Sequence, residues 1–248
     1  MRLLVLILLL PLTCFTQVVD QVMSIPATSI DLVVNEAPCP TIDILLTATF
    51  SCFDPCYGVA TVNYGGQIYN TIGIGNQCWL KENLNVGTQI PGAQNQADNS
   101  TIEKYCYNDD ANNCTTYGGL YMWNEAMQYS STPGVQGICP SGWHIPTDAE
   151  FGILITYLGG SSVAGGPVKE AGTTRWNSPN VGATNSSGFT AVGAGARIDA
   201  GWNWYKISNE IWSSTSSHFG ELYYDNVNFD SQFEGKATDG LSVRCIKN

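Results

Sequence analysis

Hydrophobic and polar positions divide the chain into three textures. Directly after Met1-Arg2 comes an apolar run from Leu3 to Leu12, the n-region and h-region pattern of a secretory signal peptide. It falls short of the roughly 20 apolar residues that a spanning helix needs, and no later stretch supplies them. Residues 17–58 carry two apolar patches, Ile30 to Val34 and Ile42 to Ala48, punctuated by Pro26, Pro38, Pro40 and Pro55. They read as an N-terminal extension or linker. From residue 59 to 248 the runs become short and β-like, separated by Gly and Asn. Thr61-Val62-Asn63-Tyr64, Gly65-Gly66 and Gln67-Ile68-Tyr69 predict a hairpin, because both glycines tolerate positive φ. The run from Thr71 to Trp79 continues that sheet. A first helix is predicted over Leu120 to Tyr129, where Leu120, Trp123, Ala126 and Met127 recur at helical spacing. A second follows Pro146. Thr147-Asp148-Ala149-Glu150 is a capping box, Phe151, Leu154, Ile155 and Leu158 form the apolar stripe, and Gly159-Gly160 ends it. Glycine-rich loops follow until strands return near 210–214, 221–227 and 241–246. The pattern is α+β: two short helices, small antiparallel sheets and long irregular loops.

Composition narrows the picture. The 248 residues hold 10 Lys plus Arg against 21 Asp plus Glu, a formal net charge of −11. Such a surface repels phosphate backbones, so nucleic acid is not an expected partner. Of 9 cysteines, Cys14 falls within the expected leader and eight remain, an even set that suits disulfides in an oxidising compartment. Clustered CxxC pairs of the zinc-site kind are absent. Two processing routes are open. Cleavage after Thr16, giving a leader of residues 1–16, would leave Gln17 first. Lipidation of Cys14 is the alternative, although Leu12-Thr13 matches a lipobox poorly.

Motifs then point to a family. They begin with Gly75-Asn76-Gln77-Cys78-Trp79-Leu80-Lys81-Glu82-Asn83-Leu84, Tyr105-Cys106-Tyr107-Asn108 and Tyr117-Gly118-Gly119-Leu120-Tyr121-Met122-Trp123. Gly137-Ile138-Cys139-Pro140-Ser141-Gly142-Trp143-His144-Ile145-Pro146 follows, then the run Lys169 to Asn180, the run Gly182 to Phe189, Ile211-Trp212-Ser213-Ser214-Thr215 and Leu241-Ser242-Val243-Arg244-Cys245-Ile246-Lys247. In that order they resemble the Fibrobacter succinogenes major paralogous domain over 59–248. Gly119 departs from the family, which more often has a larger or basic residue there. The resemblance implies an exported protein of Fibrobacter-like or Bacteroidota-like bacteria, with a fold similar to the C-type lectin group. It also suggests the pairings Cys139–Cys245, Cys106–Cys114 and Cys56–Cys78, leaving Cys39–Cys52; eight cysteines allow 105 arrangements.

Candidate chemistry is sparse. Asp109, Asp110 and Asn112 place hard oxygens in one loop, a possible structural calcium site, but such residues also build turns on their own. The calcium-dependent sugar motifs Glu-Pro-Asn, Gln-Pro-Asp and Trp-Asn-Asp are missing. Trp202, Trp204 and Tyr205 sit in a Gly-flanked stretch that matches the family loosely, and exposed aromatic faces stack on sugar rings or side chains. They are the candidate ligand contacts, although strand alternation could instead turn both tryptophans to the core. His144 reads as a structural residue hydrogen-bonded in a turn, and Trp143, Trp176 and Trp212 as core anchors. No catalytic elbow or metal spacing is present. The expected function is a non-catalytic recognition module for a glycan or surface protein. A structural envelope role and a sulfatase-modifying type of enzyme, which would need a free reactive cysteine, are the alternatives.

Overall fold

A computed structural model describes residues 54–248. The expected leader, most of the expected extension and the suggested Cys39–Cys52 pair lie outside the described residues. In chain order the elements begin with strands β1 (Thr61–Tyr64), β2 (Gln67–Ile74), β3 (Gln77–Leu80), β4 (Thr88–Gln89) and β5 (Glu103–Lys104). Helix α1 (Ala111–Tyr117), strand β6 (Leu120–Met122), helix α2 (Trp123–Ala126), strand β7 (Trp143–His144), and helices α3 (Asp148–Tyr157) and α4 (Ser161–Val168) follow. The chain ends with β8 (Ala196–Ile198), β9 (Gly201–Asn203), β10 (Ser208–Trp212), β11 (His218–Tyr223), β12 (Asp230–Glu234), β13 (Gly240–Ser242) and β14 (Ile246–Lys247).

The hairpin forms where the alternation places it. Tyr64 pairs with Gln67 across Gly65 and Gly66, whose φ angles are 56° and 76°. A side chain at Gly65 would also place its Cβ 2.6 Å from Val86, so glycine is required twice over. β3 extends the sheet, and the last strand inserts beside it: the order is β1-β2-β3-β14-β7, with Ile246 facing both Trp79 and His144. Cys139–Cys245 lies next to this insertion and ties the end of the chain to the segment leading into α3. A second, larger sheet runs β12-β11-β10-β13-β8-β9, with β6 also paired to β13. Its neighbours are antiparallel except for the single parallel contact of β10 with β13. β4 and β5 form a small parallel pair.

Helix α3 has the expected design. The Thr147 hydroxyl accepts from the Glu150 amide, the Glu150 carboxylate accepts from the Thr147 amide, and Phe151, Leu154 and Ile155 are buried. Their cluster joins Trp79, Trp176, Phe189, Ile211, Leu222, Phe229 and Ile246. A second cluster gathers Tyr121, Trp143, Trp212 and the Cys139–Cys245 bridge. Trp143, Trp176 and Trp212 are thus core residues. Cys56–Cys78 and Cys106–Cys114 complete the three disulfides of the described residues, in the suggested pairings.

Three expectations need correction. The segment 120–129 is not one helix: Leu120–Met122 is a strand whose backbone pairs with Gly240–Ser242, and only Trp123–Ala126 is helical. A short apolar run buried on both sides has no periodicity to separate strand from helix. Instead of two short helices there are four among the described residues. Ser161–Val168 contains two glycines and Pro167, all poor helix formers. Gly165 has a packing reason to be there: it sits under the Asn228 carbonyl, which a Cβ would approach to 2.3 Å. The Asn/Asp loop likewise contains a helix, α1, which Asp110 caps through the Asn112 amide. Among the described residues no single helix is long and apolar enough to cross a membrane.

Candidate functional site

The β8–β9 hairpin carries the candidate aromatic residues. Asp199 and Ala200, both with positive φ, make its two-residue turn, the mirror-image type that suits the right-handed twist of the strands. Behind it, the buried Arg197 donates from Nε to the Gly92 carbonyl at 2.7 Å and from Nη1 to the Thr238 carbonyl at 2.9 Å. Its guanidinium lies 4.5 Å from the Tyr105 ring centre. The 91–95 loop is therefore clamped under Trp202, and Gly92 gives the indole room: a Cβ there would come within 2.4 Å of Trp202.

Trp202 packs 5.4 Å from Tyr107, which stacks on Tyr205 at 4.9 Å; Tyr205 meets Tyr117 edge-on at 5.3 Å. The Tyr205 hydroxyl lies 3.2 Å from that of Tyr117, and burial together with this contact pushes the Tyr117 phenol above its ordinary pKa. Trp202 and Tyr205 are half-buried, whereas Trp204 is 40% exposed. Trp204 also has φ +60°, a left-handed conformation that a bulky side chain rarely adopts. The amides of Ile207 and Ser208, both donating to its carbonyl at 2.8 and 3.1 Å, hold it there. Strand alternation therefore does not decide the tryptophans: Trp204 lies just past the strand end, where the chain turns it outward.

Asp109, Asp110 and Asn112 are engaged locally. The Asp109 carboxylate accepts from the Gly92 amide at 2.7 Å, Asp110 caps α1, and the Asn112 amide side chain donates to Asp110 at 3.0 Å. Among the described residues no group of three His, Cys, Asp or Glu converges as a metal site would need. His144 donates from Nδ1 to Asn248 Oδ1 (2.7 Å) and from Nε2 to Glu150 Oε1 (2.8 Å), a structural clasp on β7.

Tyr117 leads from the aromatic shelf into a polar cleft of about 210 Å³, which sequence reasoning missed. Its walls come from β2, the segment after β3, the end of α1 and the loops around 175 and 190. Three cations line it. Arg244 is fully buried and donates from Nε and Nη2 to Asn83 Oδ1 at 3.2 and 2.7 Å, and from Nη1 to the Phe189 carbonyl. Burial pulls its pKa down to about 9, which leaves it charged at neutral pH. Arg175 pairs with Glu170 and reaches the Thr116 carbonyl at 3.3 Å. Lys81 is half-buried. The one legible signal for this site was the scarcity of basic residues, which made each one informative.

The family model of the Fibrobacter succinogenes major domain matches residues 72–247, well over half of the chain. The chain belongs to that family. No curated protein and no solved structure matches it. The matched span of this Fibrobacter succinogenes major domain contains the whole aromatic shelf and all three cleft cations. It begins inside β2, after the Gly65-Gly66 turn and Cys56.

Proposed function

We propose that this domain is an exported, non-catalytic recognition module of C-type lectin-like architecture that binds a glycan through the aromatic shelf. Trp204 is the observation that carries the reading. A large aromatic residue in a left-handed conformation costs on the order of 1 to 3 kcal/mol, and such strain concentrates at binding sites. Here it leaves an indole 40% exposed beside a rigid set of three tyrosines and Trp202. Pre-ordered aromatic faces lose little entropy on binding. Three disulfides suit an oxidising, extracytoplasmic setting, and the binding role uses no bound cation. The six described cysteines are all bridged, which removes them as the free nucleophile a sulfatase-modifying activity would need.

A glycan and cell-wall polysaccharide array read by tryptophan fluorescence tests the proposal. Wild-type protein should bind at least one glycan class, and Trp204→Ala should weaken that binding at least tenfold with an unchanged or raised melting temperature. Silence across the array, or a Trp204→Ala protein that unfolds early yet binds normally, would overturn it and favour a purely structural role.

A further inference from the structure

The cleft beside the shelf has an electrostatic character opposite to that of the chain as a whole. The protein has 10 basic residues against 21 acidic ones, yet Lys81, Arg175 and Arg244 line one small cleft. The two carboxylates nearby are already engaged. Both Glu82 oxygens accept from Asn70, at 2.8 Å from its backbone amide and 2.7 Å from its side chain, and both Glu170 oxygens accept from Arg175. Arg244 contacts only neutral acceptors, and Lys81 is in no ion pair among the described residues. The cleft thus sets three cations against the two carboxylates of Glu82 and Glu170, and the positive charge left over gains from an arriving anion, because the surrounding dielectric is low. The three cations grouped in the cleft, rather than the overall charge of −11, set the local field that an arriving carboxylate meets.

We propose that this cleft is a carboxylate subsite that takes the uronate group of an acidic sugar residue. This assignment rests on the glycan-binding reading of the adjoining shelf and names its ligand class. Lys81 and Arg175 meet the carboxylate at the mouth, and Arg244 supplies fixed positive charge from within. The side-chain amides of Gln67 and Asn85 on the walls suit ring hydroxyls, which an acidic peptide lacks. Tyr117 is shared by the cleft and the shelf, so the next sugar ring of the same chain would lie on Tyr205 and Trp204.

Calorimetric titration of the full chain with oligogalacturonate and alginate oligomers, each beside its methyl ester, tests the assignment, because esterification removes the charge and keeps the rings. At least one free acid should bind ten times more tightly than its ester. Lys81→Gln should erase that preference without moving the melting temperature, and Lys81→Arg should retain it. Equal affinities of acid and ester, an unaffected Lys81→Gln protein, or a poly-aspartate peptide binding as tightly as the oligouronates would each overturn the uronate subsite. If neutral glycans or esters bind through Trp204 while the acids gain nothing, the subsite falls and the recognition role stands. If no glycan of any charge binds, both fall.

Discussion

The half of the domain around α3 and the loop-rich half between 169 and 206 are stabilised by different means. Around α3, order comes from repetition: a capping box, an apolar stripe and a cluster of aromatic rings in which Trp79 lies 5.8 Å from Phe151 and 5.6 Å from Phe189. Between 169 and 206 few backbone groups have a ladder partner, and single buried cations collect the carbonyls. Lys169 Nζ, fully buried, donates to the carbonyls of Val181, Tyr223 and Asn226 at 3.0, 2.8 and 2.6 Å. Arg197 and Arg244 do the same for other loops. The periodic half should therefore tolerate loss of one polar contact, whereas the loop half should not. A face made of loops is as rigid as its few anchors.

The largest effect should come from the bridge that both halves share. Cys139–Cys245 closes a loop of 106 residues, so Cys139→Ser with Cys245→Ser should lower stability by about 4 to 5 kcal/mol on the chain-entropy estimate. Urea denaturation measures it. A loss below 1 kcal/mol would mean that the β14 insertion alone holds the two halves together.

Next is the direct comparison of anchors. Lys169→Met keeps the length and removes three donors, leaving buried carbonyls at about 1 to 3 kcal/mol each, so a loss of about 3 kcal/mol or more is expected. Hydrogen exchange should rise first at 181–184 and 223–228. Thr147→Ala removes the α3 cap and should cost about 1 kcal/mol. If the cap variant proves the more damaging, the contrast between the two halves is wrong.

The same contrast explains what was readable in advance. The hairpin, α3 and the core tryptophans announce themselves because alternation and helical spacing are local properties of the chain. Leu120–Met122 did not, since its strand character comes from Gly240–Ser242, about 120 residues away. The Trp202 to Tyr205 stretch was legible as a group of aromatic residues, but its packing partners Tyr107 and Tyr117 were not. They are placed by the Cys106–Cys114 bridge and α1, and no spacing rule connects them to residue 205. The cleft was hidden for the same reason, because Lys81, Arg175 and Arg244 come from three distant segments. Buried cations defeat pattern reading most thoroughly, as a lysine or arginine in sequence reads as surface.

The smallest expected effect lies at the clasp between the periodic half and the chain end. His144 binds Asn248 and Glu150 and is 13% exposed, with Glu150 at 24%. Burial alone would depress the His144 pKa, but its bonds to Glu150 and Asn248 outweigh that and raise it above 6.5. Glu150 is likewise penalised by burial, yet His144 and the Thr147 amide lower it below 4.5. A raised histidine contributes stability that is complete below pH 6.5 and is lost as pH rises through the folded value. A lowered carboxylate contributes above pH 4.5 and is lost as pH falls through the folded value. The pair should thus be at full strength between pH 4.5 and 6.5. The stability difference between wild type and His144→Gln should be largest there, on the order of 1 kcal/mol after solvent screening, and should shrink towards alkaline pH. Subtracting the two curves cancels every other titrating group, including the buried Lys169. A difference that stays flat from pH 5 to 9 would show that the clasp acts through neutral hydrogen bonds alone, and that the chain end is held to α3 by β14 and the bridge without help from charge.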